Sequence, residues 1–249
     1  MLPMPYDFNG PRLIALALIF VMWMLYGPIM TLLGRGTLNA QLHVVRLRWM
    51  RMSLDSHREN RVFDAILLGH LSASMSFFGS ATLIVLASLL GALAGIGGVH
   101  AALTRLEFFP AISLGLFTTY FAALTLIIAI SFFSFTYAIR KLGYTLAMIG
   151  GLNEARLANA HSQSMIAQTA VVLTESVKSL NNGIRGYYFA IAALFLFIGP
   201  YHAMVMTLLI AGVLLYRQGF STEALAIEAY VTAMNEYEVE REQRGESVI

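Results

Sequence analysis

Ser72, Ser76 and Ser80 recur every fourth residue within an otherwise apolar run, with Gly69, Ala73 and Gly79 beside them. If the run is helical, the three hydroxyls share one face. Such a row either lines a hydrated conduit or serves a close helix–helix contact in lipid, where small side chains let backbones approach. Gly91 and Gly95 continue the series as a Gly-x-x-x-Gly pair. A second candidate is His202, which follows Gly199-Pro200-Tyr201 in the middle of another apolar run. An ionisable side chain at membrane depth marks a site by default, and Pro200 would free the carbonyl of Leu196 as transporter helices do. The same pair also fits a purely structural kink. No Asp or Glu falls in the membrane portion of any apolar run, which argues against a carboxylate proton or sodium relay.

The charged residues cluster at the ends of these runs. Arg58, Glu59, Arg61 and Asp64 stand where the second run begins, and Arg61 and Asp64 are a helical i, i+3 pair. They read as an ion-paired collar at the helix entry or as a gate at a pore mouth. Arg46, Arg48 and Arg51 alternate with Val44, Val45, Leu47, Trp49 and Met50, the pattern of an interfacial helix whose guanidinium groups meet lipid phosphates. Asn181-Asn182-Gly183 predicts a capped helix start, which would leave Arg185 at the positive end of the dipole. A lipid phosphate, another anion or Glu175 would then be its partner.

Enzymatic patterns are absent from the sequence. The histidines follow no His-Glu-x-x-His or comparable metal spacing, and there is no nucleophile elbow and no phosphate-cradling glycine loop. With no cysteine, thiolate nucleophiles and Cys-ligated metals are excluded. The sequence therefore predicts no cofactor and no catalytic residue.

The elements that must position these residues are long apolar helices. Of 249 residues, 58% are hydrophobic and only 12% charged, about half the charge of a soluble domain, and the mean hydropathy is +0.70. Four stretches exceed the ~20 residues a membrane helix needs: Leu13 to Leu33, Phe63 to Gly98, Pro110 to Ile139 and Tyr187 to Tyr216. The N-terminal residues lack a basic signal-peptide region, so the first is expected to be retained. The second would be roughly 50 Å long against a hydrocarbon core of about 30 Å, so its first turns are expected to project beyond the lipid. Lys and Arg concentrate in the connections 35–61 and 140–186, which the positive-inside rule places in the cytoplasm with both termini outside. The net charge of +2, without a basic stripe, implies no nucleic-acid partner. From Thr222 to Glu246 an acidic tail reads as an amphipathic helix with Ala226, Tyr230, Ala233 and Tyr237 on one face.

Four separated motifs occur in one order: Trp49-Met50-Arg51, then Arg58-Glu-Asn-Arg61-Val-Phe-Asp64, then Ser76-Phe-Phe-Gly-Ser-Ala-Thr82, then Asn182-Gly-Ile-Arg-Gly-Tyr-Tyr-Phe189. Together they make the chain resemble, along nearly its whole length, the "domain of unknown function 599" family of membrane proteins. In that family the third motif commonly reads Phe-Phe-Ala-Ser-Thr-Thr; Gly79 and Ala81 depart from it, small for small. The resemblance implies a multi-pass architecture and carries no activity. The expectation is thus an all-α bundle, with a four-span domain over 1–220 and a tail over 221–249, in a bacterial inner membrane. Function divides between a non-enzymatic, self-associating or accessory subunit and a small homo-oligomeric channel or carrier. The expected partners are lipids and a second copy or another membrane complex.

Overall fold

Runs of Leu, Ala, Ile and Phe without water to bond their amides close their hydrogen bonds locally, and helices result. The computed structural model describes residues 7–32, 37–53, 61–105, 110–152 and 160–244. In order, it holds α1 (Gly10–Leu32), α2 (Leu38–Ser53), α3 (Arg61–Ala94), α4 (Ile96–Leu103), α5 (Leu114–Gly151), α6 (Ala160–Leu194), α7 (Pro200–Gly219) and α8 (Thr222–Gln243), with a 3-10 turn at Phe195–Phe197. Among the described residues four stretches are long and apolar enough to cross a membrane: Gly10–Met30, Val62–Ala94, Leu114–Gly151, and Pro200–Arg241 with its break at Phe220 and Ser221. The chain is an all-α, membrane-associated helical protein. It divides into two compact units, which the long helices both supply.

The first unit comprises Met1–Ile29, Phe78–Ser134 and Asn181–Leu215. Its core packs Ala15 and Ile19 of α1, Leu116 to Ile128 of α5, Phe189 to Ala193 of α6 and Ala203 and Ile210 of α7. Phe197 anchors the turn after α6, meeting Phe117 and Tyr120 edge-on at 5.2 and 5.9 Å. Hydroxyls on α5 are satisfied within the helix: Thr118, Thr125, Ser131 and Ser134 each donate to the carbonyl four residues earlier. α6 approaches α5 closely at Gly186, where a Cβ would collide with Ser131 Oγ and lie 3.5 Å from the Trp23 ring.

Asp7 ties the N-terminal segment to the start of α5. Its carboxylate accepts the Ser113 N–H at 2.8 Å and the Ser113 hydroxyl at 2.6 Å, and pairs with Arg12 at 3.2 Å. Ser113 Oγ in turn accepts the Leu116 N–H, the geometry of a helix cap. Burial disfavours the Asp7 charge, but the Ser113 hydrogen bonds and Arg12 outweigh it and hold this carboxyl below the usual aspartate value.

The fourth apolar stretch is two helices rather than one. The Arg185 guanidinium lies 4.2 Å over the Tyr26 ring, and the Tyr26 hydroxyl donates to the Leu214 carbonyl at 3.2 Å. A straight helix from Arg185 to Leu214 would run about 44 Å. The chain instead turns back at Phe195–Gly199, where the amides of Ile198 and Gly199 share the Phe195 carbonyl. Pro200 is not inside a helix freeing the Leu196 carbonyl; it opens α7, where a missing N–H costs nothing. The predicted helix start at Asn181-Asn182-Gly183 is likewise corrected. α6 passes through these residues unbroken, because the apolar face on either side outweighs a weak local propensity.

The second unit comprises Met30–Phe77, Phe135–Leu180 and Tyr216–Ile249. Here α5 and α6 are joined by the buried Ser176 hydroxyl, which donates to the Ala138 carbonyl at 2.7 Å, and by Lys141, which donates to Ser179 Oγ at 2.9 Å. α5 ends at Gly151, where the Gly150-Gly151 pair predicts a break. α2 packs directly on α8. Arg48 sits 5.2 Å over the Tyr237 ring and 3.8 Å from Glu238. The inward face of α8 is Ala224, Ile227, Val231 and Met234, while the predicted face, Tyr230 and Tyr237 included, is exposed.

Two outcomes follow. Gly186→Ala should destabilise the detergent-solubilised protein by about 1–3 kcal/mol in thermal unfolding, the cost of overpacking a filled contact. Adding Ser131→Ala should recover part of that loss, since the clashing oxygen is gone. A depressed folded pKa at Asp7 means its stabilisation is complete above about pH 4 and is lost as pH falls through the folded value. Between about pH 6 and pH 3 the melting temperature should therefore fall more steeply for the unmodified chain than for Asp7→Asn.

Candidate functional site

α3 is the least covered of the membrane-length helices. Within its most apolar window 17% is buried, against 56% for α5, so α3 keeps a face that this chain does not use. Ala73, Ser76, Ser80, Ala87 and Gly91 are exposed along that face, with Ile84 between them. Their spacing of three and four residues is that of one helix stripe. A Cβ built on Gly91 or Gly95 meets no atom within 4 Å. Glycine inside a helix costs roughly 0.5–1 kcal/mol relative to alanine, and nothing within the described chain requires it at Gly91, whereas Gly95 is the N-cap at the break between α3 and α4. Of the predicted serine row, Ser76 and Ser80 are exposed on this stripe and Ser72 is half-buried.

The charged residues point to docking within the chain. Arg58 and Glu59 lie outside the described residues, and Arg61 begins α3. Asp64, the remaining member of the predicted collar, is buried and accepts the Trp49 indole N–H at 2.7 Å. Thus the first two motifs of the sequence meet through Trp49 and Asp64. The last two also meet: Thr82 hydrogen-bonds the Tyr187 hydroxyl, and the Phe78 and Tyr187 rings lie 6.4 Å apart.

Thr174 of α6 is a hub that the sequence reading passes over. Asn39 Nδ2 donates to its carbonyl at 3.2 Å, His43 Nδ1 is 2.9 Å from its hydroxyl, and Arg46 Nη1 donates to that hydroxyl at 3.3 Å and to the Asn39 carbonyl at 3.1 Å. Burial pushes the Arg46 guanidinium below the usual arginine value. Arg46 and Arg48 therefore meet protein groups, while Arg51 is half-buried in the last turn of α2, where the helix dipole suits a cation. Arg185 is inside α6 and faces the Tyr26 ring, while Glu175 pairs with Lys178 at 3.0 Å and Lys141 at 3.8 Å. His202 is exposed on the first turn of α7, next to Pro200, with Nδ1 against Gly199. A hydroxyl beside the Leu173–Val177 face was the only sequence signal for Thr174, and Tyr26 had none beyond its place in an apolar run.

These groups fix helices to one another. The model of the family described as "Protein of unknown function, DUF599" matches residues 14–223. No curated protein and no solved structure matches the chain.

Thr174→Val removes the oxygen that receives Arg46 and His43 while keeping the shape of the side chain. Deuterium uptake across residues 38–53 should rise, corresponding to a loss of about 1–3 kcal/mol in the docking of α2, the cost of stranding a buried charged donor.

Proposed function

The chain belongs to the DUF599 family, and we propose that it is a non-enzymatic, multi-pass inner-membrane protein that self-associates through the exposed small-residue face of α3. The observation that carries this reading is Gly91 on the exposed stripe of α3, whose missing side chain makes room for nothing among the described residues. In lipid, small residues at three- and four-residue spacing let a second helix approach closely, and the Ser76 and Ser80 hydroxyls offer hydrogen bonds across the contact.

The fold-back at Phe195–Gly199 also supports a revised topology. With the second half of α6 and α7 counted separately, the crossings number five: α1, α3, α5, α6 and α7. An odd number puts the termini on opposite sides and α8 on the side of α2, which agrees with the packing of those two helices. Every Lys and Arg other than Arg12, Arg105 and the intrahelical Arg185 then falls on one side, a stronger positive-inside bias than four crossings give. That side is the cytoplasm, and the N-terminus is outside.

Because the chain has no cysteine, single cysteines report on the interface directly. In native membranes Ser80→Cys and Gly91→Cys should form disulfide-linked dimers on mild oxidation, whereas Tyr201→Cys, exposed on α7, should not. Gly91→Leu should abolish the Ser80→Cys cross-link and shift the native mass to the monomer. Water-soluble thiol reagents reaching Ser76→Cys and Ser80→Cys from the aqueous side would instead favour the channel or carrier reading. Loss of neither oligomer nor cross-link in Gly91→Leu would reject the α3 interface.

A further inference from the structure

Arg185 is half-buried, and its guanidinium carbon lies 4.2 Å from the centre of the Tyr26 ring. A ring at that distance covers one face of the guanidinium, while the N–H donors point outward in its plane. Among the described residues none of those donors meets a carbonyl, a hydroxyl or a carboxylate. Glu175, a partner that the sequence offered, is held by Lys141 and Lys178. Tyr26 is itself buried and fixed, since its hydroxyl donates to the Leu214 carbonyl at 3.2 Å. The fold thus positions a cation and, among the described residues, leaves it without an anion.

Asn181 and Asn182 precede Arg185 by four and three residues, so the three side chains share one face of α6. Both asparagines are exposed, and among the described residues neither side chain forms a hydrogen bond. Asparagine inside a helix costs stability relative to alanine, and nothing described in the chain uses these two. From Asn181 to the fold-back at Gly199, α6 and its final turn span about 27 Å, close to the ~30 Å of a hydrocarbon core. With α6 counted as a crossing and the fold-back at one membrane surface, the three polar residues stand at the other, at the level of the lipid phosphates. A helical side chain leans toward the N-terminus of its helix, which for Arg185 is the direction of that surface.

We propose that Arg185, Asn181 and Asn182 bind the phosphate of a membrane phospholipid whose chains stay in the bilayer. The planar guanidinium matches phosphate oxygens in pairs, and the side-chain amides add neutral donors. A soluble phosphate compound offers the same oxygens but must leave water to reach a half-buried cation, whereas a lipid phosphate is held at that depth by its chains. This site depends on the multi-pass reading above and not on the α3 interface. The crossing of α6 is checked by itself with an impermeant thiol reagent, which should reach the exposed Tyr201→Cys from outside intact spheroplasts. Labelling of Tyr201→Cys from the cytoplasmic side alone would overturn the crossing and the lipid site with it; lost binding with the crossing intact would overturn the site alone.

Binding is measured on full-length protein, purified in neutral detergent and stripped of lipid, by native mass spectrometry and by the rise in melting temperature. The probes are dioctanoyl phosphatidylglycerol, dioctanoylglycerol with the same chains and no phosphate, and glycerol 3-phosphate with no chains. The phosphatidylglycerol should bind saturably and at least about tenfold more tightly than either of the others, the scale of one charge-assisted contact. Arg185→Gln, which keeps an amide without the charge, should weaken its binding about tenfold or more. Asn181→Ala combined with Asn182→Ala changes only exposed side chains, so the lipid-free melting temperature should be unchanged or higher while binding weakens about threefold or more. Equal binding of dioctanoylglycerol would show that the chains alone are recognised, and equal binding of glycerol 3-phosphate would assign the site to a soluble phosphate. Either result, or undiminished phosphatidylglycerol binding in Arg185→Gln or in the asparagine double variant, would overturn the proposal.

Discussion

A polar group in hydrocarbon has no solvent to turn to, and this constraint governs how the chain is built. Backbone amides close within helices, and hydroxyls are spent on the carbonyl one turn back, as Thr118, Thr125, Ser131 and Ser134 show along α5. Where α5 and α6 approach at Gly186 and Ser131, the contact is made by the absence of a side chain facing one already satisfied. The hydrophobic effect does not distinguish a lipid tail from a leucine, so such fits carry specificity that apolar burial alone cannot provide. The exposed face of α3 has a similar composition, with Gly91 meeting nothing among the described residues.

Much of the architecture was legible because apolar length is a strong signal. α1 and α3 fall within a few residues of their predicted runs, α5 begins near its predicted start but continues past Ile139 to Gly151, and α2 forms over the arginine-rich segment. The fold-back after α6 was not legible for a specific reason. Residues 187–216 are apolar throughout, and a hairpin of two helices has the same composition as one long helix. Only Pro200 marked the place, and a proline reads equally as a kink or as a first helical residue. Tertiary contacts to Tyr26 from both Arg185 and Leu214 resolve the ambiguity.

Polar sites were less legible than helices. Sequence proximity pointed from Asp64 only to Arg61 one turn away and gave no sign that its carboxylate receives the indole of Trp49 from another helix. Arg46 and Arg48 have the composition of a lipid-facing helix, but Thr174 and Tyr237 receive them. Trp49, Thr174 and Tyr237 are uncharged and leave no trace in a charge pattern, and Glu238, which also meets Arg48, is far off in sequence. The aspartate at position 7 is similar: nothing in its neighbourhood announces Ser113, more than a hundred residues on, as the residue it caps.

The contact between α2 and α8 also has a consequence in time. α8 follows α2 only after α3 to α7 have been made. The ring that covers Arg48 therefore arrives long after the arginine itself, whereas Trp49 and Asp64 are only 15 residues apart and can bond early. Assembly of this unit is vectorial at one end and local at the other. A chain cut short before Tyr237 keeps its membrane helices but presents α2 with a bare arginine and an uncovered flank, a state that marks the product as incomplete.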